Sequence, residues 1–488
     1  LFKRMFPDSA IAQKYACKRS KTTVIIKSVL ATKFTEEPLK AAQEGPLTLC
    51  LDASSDTEDK LFLVLLRFCQ GATGEITVGL LYLPVCNLGT AVISLGRWQN
   101  CVGFSCDKTS VNVGKHRSLK VHIENCAPKL YTLDCPCHLN SLCASKAASS
   151  LSVNVGKVLI LALYYLDKSA KQKHLLKELA EFVNVEYRKI LKLSDTCWLS
   201  MGKGIERILM IMPVLRRLKQ EEATQGCLQH CVQPEDRVVQ YILFVNSVDA
   251  MFENTNKLLQ YEAPMIHMVH GSMMELLQKV VEASSLLATD YSDVNNQVPN
   301  HDLFIGFATK QYLVCTVELT ESQVTVFYSD VRDFYTTAVK YIVEKFPLND
   351  PILEFAGFLD DSHYHQYSLD NAVTLIQHLP LQVSAHEMDE LHEEFTMYQL
   401  LNTDTTTMDS CREGGLLRPD ILCNENPKII YPGTEIPVSH SDEAGKTGSD
   451  TERLFSMVKK NKTDLRSSLS AETLCSLLKM KINCFKAT

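Results

Sequence analysis

Five short apolar runs between residues 46 and 138 constrain the fold more than any other feature, because each has the length and character of a β-strand. The runs are PLTLCLDAS (46–54), KLFLVLLRF (60–68), GEITVGLLYLPV (74–85), QNCVGFSCD (99–107) and KLYTLDCPCH (129–138). The second run is almost continuously apolar, which is typical of a buried strand. The turn signal QGATG joins it to the third, and strands joined so tightly are antiparallel. We therefore expect a mixed sheet that begins with antiparallel strands.

Helical periodicity dominates the sequence that follows. From about residue 156 to 290, apolar residues recur at steps of three and four, as at Ile205, Ile208 and Met212. Further helices are predicted at 139–151, 328–346 and 385–401, and from about Thr451 and Ser470 onwards. The segment 411–450 is rich in Gly, Pro, Asn and Ser, which is typical of a loop. Together these patterns predict an α/β fold (an α+β mixed sheet) interrupted by a large all-α insertion.

Both ends of the sequence are basic, although the whole chain carries a formal charge of −7. Residues 1–33 contain eight Lys or Arg and one acid, and residues 452–488 contain eight Lys or Arg and three acids. Basic ends around an acidic body are typical of contact with nucleic acid. Two solvated surface segments would give the same composition, and the charges alone leave both interpretations open.

Cysteine usage and hydropathy exclude two broad classes of protein. The 18 cysteines are irregularly spaced, unlike those of a small secreted disulfide framework. The apolar run at 158–166 has nine residues and is too short to span a bilayer. We expect an intracellular protein in a reducing compartment with no membrane partner. Since the sequence begins with Leu1, we also expect it to be a fragment that lacks an N-terminal module.

Two of the predicted strands end at an aspartate, Asp52 in the first and Asp107 in the fourth. If these strands lie side by side, both carboxylates lie at one edge of the sheet. Carboxylates gathered there repel each other unless a hard cation such as Mg²⁺ lies between them, and two such ions support in-line phosphoryl transfer. The alternative is that both aspartates are solvated residues at strand ends.

Four blocks of sequence carry a more specific signal. They are VGFSCDKTSVNVGKHRSL (102–119), CPCHLNSLCASKA (135–147), LSDTCWLSMGKGIERI (193–208) and SDTERLFSMVKKNKTDLRSSLS (449–470). In this order they resemble the hAT superfamily of DNA transposases, and in particular vertebrate transposon-derived proteins. The resemblance implies an RNase H-like core and a C-terminal dimerisation segment.

The resemblance also implies roles for individual residues. Asp52, Asp107 and Glu452 match the three metal-binding acids of the family's catalytic site. His138, in a C-x-x-H motif that begins at Cys135, matches a catalytic histidine expected near the scissile phosphate.

Three further residues are assigned to DNA binding by the same blocks. Trp198 matches a tryptophan that stacks on a flipped base, for which an indole ring is well suited, although a core position is the alternative. Lys115 and Arg466 are the basic residues expected to contact DNA. A zinc site at the cysteines around His138 is not predicted, because a second spaced cysteine pair is missing.

The predicted organisation follows from the block order. The expected segments are a basic N-terminal segment and linker (1–45), the first part of the RNase H-like core (46–215), a helical insertion (216–410), a loop-like linker (411–448) and the dimerisation segment that completes the core (449–488). The apolar residues expected to support a homodimer or higher assembly are Leu454, Phe455, Val458, Leu474, Leu477, Leu478 and Ile482. The alternative is that they pack on the chain's own sheet.

Three departures from the family pattern favour a protein that no longer cuts DNA. The link 86–100 is short for the helix that family members place there, and Cys197 stands where they favour arginine. The loop-like 411–448 replaces the apolar helices that precede the Glu452 segment. These departures are typical of a degenerate copy of a transposase or of a domesticated protein. We expect the domesticated form, a nuclear, transposon-derived protein that dimerises and binds DNA. The alternative is an active DDE-type transposase that uses two-metal phosphoryl transfer, and only then would Mg²⁺ be a cofactor.

Overall fold

The computed structural model describes part of the chain. The described residues are 10, 19–44, 46–54, 61–69, 76–82, 100–107, 110–115, 118–127, 130–160, 174, 178, 199–221, 236–260, 266–284, 299–316, 319–359, 364–379, 384–400, 412–413, 416–417 and 471–484. The chain forms two compact units, called here the first unit and the second unit. The first comprises Leu1–Cys135, Tyr261–Val269 and Asn349–Thr488, and the second comprises Pro136–Gln260 and His270–Leu348. The predicted domain bounds stay predictions.

A five-stranded mixed sheet is the centre of the first unit. Its strands are β1 (Leu47–Ser54), β2 (Leu61–Cys69), β3 (Ile76–Tyr82), β4 (Cys101–Cys106) and β5 (Tyr131–Asp134). The strand order is β3-β2-β1-β4-β5. β1, β2 and β3 pair antiparallel, whereas β1 with β4 and β4 with β5 pair parallel.

The structure confirms the mixed sheet and all five predicted strands, including the antiparallel pairing of the second with the third. The central strands are buried on both faces, as the nearly continuous apolar run of β2 predicts. The fifth strand is shorter than its sequence run. It ends at Asp134, because Pro136 begins a helix two residues later and proline suits the first turn of a helix.

The N-terminal segment is helical where a linker was expected. Helix α1 (Arg19–Ile25) continues through a π-helical turn (Ile26–Leu30) into α2 (Ala31–Glu44). The polar part of this segment is therefore helical, and its assignment as a linker between domains stays a prediction. Pro38 lies inside α2, and the helix continues through it. Its ring is buried against β3, where Gly79 leaves room for it.

Two short helices and one sheet face enclose a hydrophobic core. The helices are α3 (Ser110–Val113) and α4 (Leu119–Cys126). Alternate residues of three strands and one face of α4 meet there, namely Leu47, Leu49, Leu51, Val64, Leu66, Phe68, Cys101, Phe104, Cys106, Leu119 and Ile123. Ser118 begins α4 as its N-cap and accepts a hydrogen bond from the backbone N–H of Val121 at 3.3 Å.

The second unit is helical throughout its described elements. These are α5 (Pro136–Ala148), α6 (Leu199–Glu221), α7 (Asp236–Leu259), α8 (Ile266–Ser284, which begins in the first unit), α9 (Phe307–Cys315) and α10 (Glu321–Lys345). Helix α5 packs against α7 and α10. Edge-to-face aromatic pairs join α7 to α10, with ring centroids of Phe244 and Phe334 5.3 Å apart. None of the described helices combines the length and apolarity needed to cross a membrane.

One buried polar network ties three parts of the second unit together. The hydroxyl of Tyr241 donates a 2.5 Å hydrogen bond to Oδ2 of Asp330, and the backbone N–H of Ser152 donates to the same oxygen at 3.0 Å. Burial raises the pKa of Tyr241, and its hydrogen bond to Asp330 raises that pKa further. The tyrosine therefore stays protonated and the network is structural in character.

The remaining described elements return the chain to the first unit. They are α11 (Pro351–Phe355), α12 (Leu369–His378), α13 (Ala385–Gln399), the short strands β6 (Arg412–Glu413) and β7 (Leu416–Leu417), and α14 (Ala471–Cys484). Asp350 caps α11 by accepting from the backbone N–H of Ile352 at 2.9 Å. Its second oxygen accepts a 3.0 Å hydrogen bond from the hydroxyl of Tyr131 in β5. This one carboxylate attaches the returning chain to the edge strand.

Helix α14 packs against α2, the π-helical turn and β3. Leu474 and Leu478, two residues expected to support a dimer, are buried in this contact. The alternative interpretation, packing on the chain's own sheet, is therefore correct for both. Leu477 of the same helix is half-buried. Leu454, Phe455 and Val458 lie outside the described residues, as does the predicted helix near Thr451.

We predict that Gly79→Ala destabilises the first unit by about 1–3 kcal/mol, the usual range for overpacking. A Cβ at this position would lie 2.9 Å from both Cβ and Cγ of Pro38 and 3.3 Å from Cε1 of Phe68. The free energy of unfolding is measured by urea denaturation followed by circular dichroism.

The matched control is Gly271→Ala in α8, an exposed helical glycine with no described atom within 4 Å of the added Cβ. It should stabilise the protein by about 0.5–1 kcal/mol, because alanine favours the helix. Equal denaturation midpoints for Gly79→Ala and the wild type would contradict the packing of α2 on β3.

Candidate functional site

The pairing of β1 with β4 brings two of the predicted acids to neighbouring positions. Leu51 of β1 is the register partner of Cys106 of β4. In each of the two strands the residue that follows is an aspartate. Asp52 lies within β1, and Asp107 comes immediately after β4. Both are half-buried. The first and fourth strands therefore lie side by side, which is the condition for the two acids to share one edge, whereas the role of these acids stays a prediction.

Asn112 of α3 holds the carboxylate of Asp107. Its amide nitrogen Nδ2 donates a hydrogen bond to Oδ1 of Asp107. Asn112 is only 1% exposed, and its amide oxygen Oδ1 has no hydrogen-bond partner among the described residues. The next residue, Val113, packs on the hydrophobic core and so anchors the short helix. A fixed side chain therefore orients one of the two acids.

Asp134 is a third acid at this edge of the sheet. It ends β5 and is the register partner of Cys106. Partners in parallel strands share a face and successive residues alternate, so this register places Asp134 on the sheet face opposite that of Asp107. Burial raises the pKa of the Cys106 thiol, and the carboxylates of Asp107 and Asp134 raise it further. Cys106 is therefore a protonated core residue and not a thiolate ligand or nucleophile.

Two other predicted site residues lie in the described chain. His138 is half-buried in the first turn of α5, in the second unit. Lys115 is exposed in the turn that follows α3, in the first unit. Glu452, Trp198 and Arg466 lie outside the described residues, so their predicted roles stay predictions.

The cysteines around His138 are core residues. Cys135, Cys137 and Cys143 are all buried. Burial raises the pKa of Cys143 to about 12, and its Sγ donates to the carbonyl oxygen of Ala338 at 3.6 Å. In the described part of the chain, no cluster of three or more His, Cys, Asp or Glu side chains is arranged to hold a metal ion.

The donors at the β1–β4 edge nevertheless fit one kind of metal. Asp52 and Asp107 supply carboxylate oxygens, and Asn112 supplies a buried amide oxygen without a partner among the described residues. Carboxylate and amide oxygens are the ligands of hard cations such as Mg²⁺, while Zn²⁺ favours thiolates and imidazoles. Together Asp52, Asp107 and Asn112 thus offer oxygen atoms to a hard cation, and Asn112 and Asp107 are joined by a hydrogen bond.

Sequence reasoning missed Asp134 and Asn112. The signal for Asp134 was present, because it ends a strand as Asp52 and Asp107 do, but the fifth strand was predicted to run past it. Asn112 carries no comparable signal, since its importance comes from a contact that only the folded chain creates. No protein-family model matches this sequence.

Proposed function

We propose that this chain is a transposon-derived protein of the hAT type, built on an RNase H-like core, that self-associates and binds DNA in the nucleus. The observation that carries the proposal is the sheet order β3-β2-β1-β4-β5 with its change from antiparallel to parallel pairing. The resemblance implies a core with an acid on the first strand and another on the fourth. Such a core requires these two strands to be parallel neighbours, and they are.

The position of the C-terminal helix supports the same proposal. Helix α14 belongs to the same compact unit as the sheet and packs against α2 and β3. Between the sheet and this helix the chain forms the second unit. A chain that leaves a sheet, forms a helical body and then returns is what an inserted domain within an RNase H-like core requires.

A basic surface supports DNA binding. Residues 19–35 contain four Lys or Arg and no acid. Lys21 in α1 and Lys33 in α2 are exposed, as are the hydroxyl residues Ser20, Thr22 and Thr32. Lysine ammonium groups and hydroxyls are the usual contacts to phosphate oxygens, and such contacts bind DNA without reading its sequence.

We predict that the double variant Lys21→Glu/Lys33→Glu weakens binding to duplex DNA. Loss of two phosphate contacts should reduce the slope of log K against log salt by about 2, at about 0.9 per contact. The measurement is fluorescence anisotropy of a labelled duplex over a range of salt concentrations.

The matched control is Lys203→Glu/Lys310→Glu, which makes the same change in net charge at two exposed lysines of the second unit. This control should change the slope of log K against log salt much less than Lys21→Glu/Lys33→Glu does. An equal change in the salt slope for both double variants would show that DNA binding depends only on total charge. It would contradict the assignment of a specific DNA-binding surface to α1 and α2.

Self-association is the second part of the proposal, and we assign it to a shorter segment than the whole of 449–488. Because Leu474 and Leu478 are covered within the chain, they supply no surface to a partner. We assign that surface to the apolar residues of 449–470. Deleting 449–488 would also remove α14 from the first unit, so point variants are the cleaner test.

We predict that Phe455→Asp/Val458→Asp converts an assembly of two or more chains into a monomer, because a buried carboxylate is costly in an apolar interface. The molar mass is measured by size-exclusion chromatography with light scattering. Val343→Asp, at a residue 53% exposed in α10, is the control and should leave the mass unchanged. A monomeric wild type would overturn this part of the proposal.

Metal-dependent phosphoryl transfer is a second candidate function, favoured by the register of Asp52 beside Asp107. Bound Mg²⁺ would activate a nucleophile and stabilise the leaving oxygen. Asp52, Asp107 and Glu452 are the residues that would hold it. The structure describes two of these three, and both belong to the first unit.

We predict that, if this second function is retained, the wild type nicks supercoiled plasmid in Mg²⁺ or Mn²⁺ and Asp107→Ala lowers the rate at least 100-fold. A lost metal ligand removes transition-state stabilisation that other groups cannot replace. Asp302→Ala, at an exposed acid of the second unit, is the control. Nicking that persists in Asp107→Ala would indicate a contaminating nuclease.

A further inference from the structure

Asn112 is placed against one of the two acids in a way that a simple structural role does not explain. Its Nδ2 donates to Oδ1 of Asp107, so one end of the amide is satisfied. The other end, Oδ1, is buried and has no hydrogen-bond partner in the described chain. Buried polar atoms are nearly always hydrogen-bonded, and an exception calls for an explanation, such as a catalytic role or a bound water or ion.

The orphan oxygen lies beside the carboxylate that the amide already contacts. Oδ1 and Nδ2 share one planar amide group, and Nδ2 touches Asp107. Without a cation, the amide has to present its N–H group to the carboxylate, because an amide oxygen facing a carboxylate oxygen would repel it. With a cation beside Asp107, the opposite orientation is favoured, because both oxygens then face a positive charge.

We propose that Asn112 is a positioning residue for Asp107 that becomes a ligand when a divalent cation binds. Rotation of the amide by a half-turn exchanges Nδ2 for Oδ1, which places the oxygen against the cation and moves Nδ2 to the buried position that Oδ1 leaves. The inference rests on the metal site of the second candidate function and names a residue beyond its three acids. Val113, the next residue, anchors α3 to the hydrophobic core.

Mn²⁺ binding to the full chain tests the inference, with free Mn²⁺ measured by electron paramagnetic resonance. Asn112→Leu has a similar volume and no oxygen, and should weaken Mn²⁺ binding at least 10-fold. Asn112→Asp supplies an oxygen in the same place, and should bind Mn²⁺ at least as tightly as the wild type. Its metal-free form should melt at a lower temperature because two carboxylates then face each other, so Mn²⁺ should raise its melting temperature by more than it raises that of the wild type.

The outcomes separate this inference from the function on which it rests. If the wild type binds Mn²⁺ and Asp107→Asn abolishes binding while Asn112→Leu does not weaken it, the metal site stands and the role of Asn112 is overturned. If the wild type shows no binding that depends on Asp107, both fail. Should Asn112→Leu not fold, Asn112→Asp decides alone, since weaker Mn²⁺ binding than in the wild type overturns the proposal.

Discussion

The parallel pairing of β1 with β4 is the contact on which the rest of the first unit depends. It is where the sheet changes from antiparallel to parallel, and it joins the hairpin strands to the strands that lead towards the second unit. Its register aligns Leu51 with Cys106 and so places Asp52 and Asp107 at neighbouring positions. A slip of one residue would turn the apolar side chains of β4 away from the core, so the packing that stabilises the sheet also fixes the acids.

The sequence predicted the sheet well because its signals are local. Each strand is an apolar run between turn residues, and the short QGATG turn is enough to make β2 and β3 antiparallel. The sequence was less informative where tertiary contacts decide the structure. The ring of Pro38 fills the space that Gly79 leaves in β3, and α2 continues through this residue. The burial of Leu474 and Leu478 could not be predicted, because an apolar helix face looks the same whether it covers its own sheet or a partner.

The candidate site was predictable in part for the same reason. Aspartates that end strands are visible in a sequence, and the register confirms that two of them are neighbours. The hydrogen bond between Asn112 and Asp107 is not visible, because it depends on the path of the chain between β4 and α4. The residue that orients an acid is therefore harder to find than the acid itself. The fold supports a proposal about family and chemistry, and the supporting side chains decide whether that chemistry survives.

The late position of α14 in the chain has a consequence for synthesis. Residues of β3, an edge strand of the sheet, leave the ribosome about 390 residues before the helix that covers them. At the usual translation rate of about 5–20 residues per second, α14 is synthesised roughly 20–80 s after this strand. Tyr131 of β5, at the opposite edge, likewise waits for Asp350, which lies 219 residues later. Each edge strand thus lacks one of its folded-state contacts during this part of translation, which is the period when a strand edge pairs most readily with another chain.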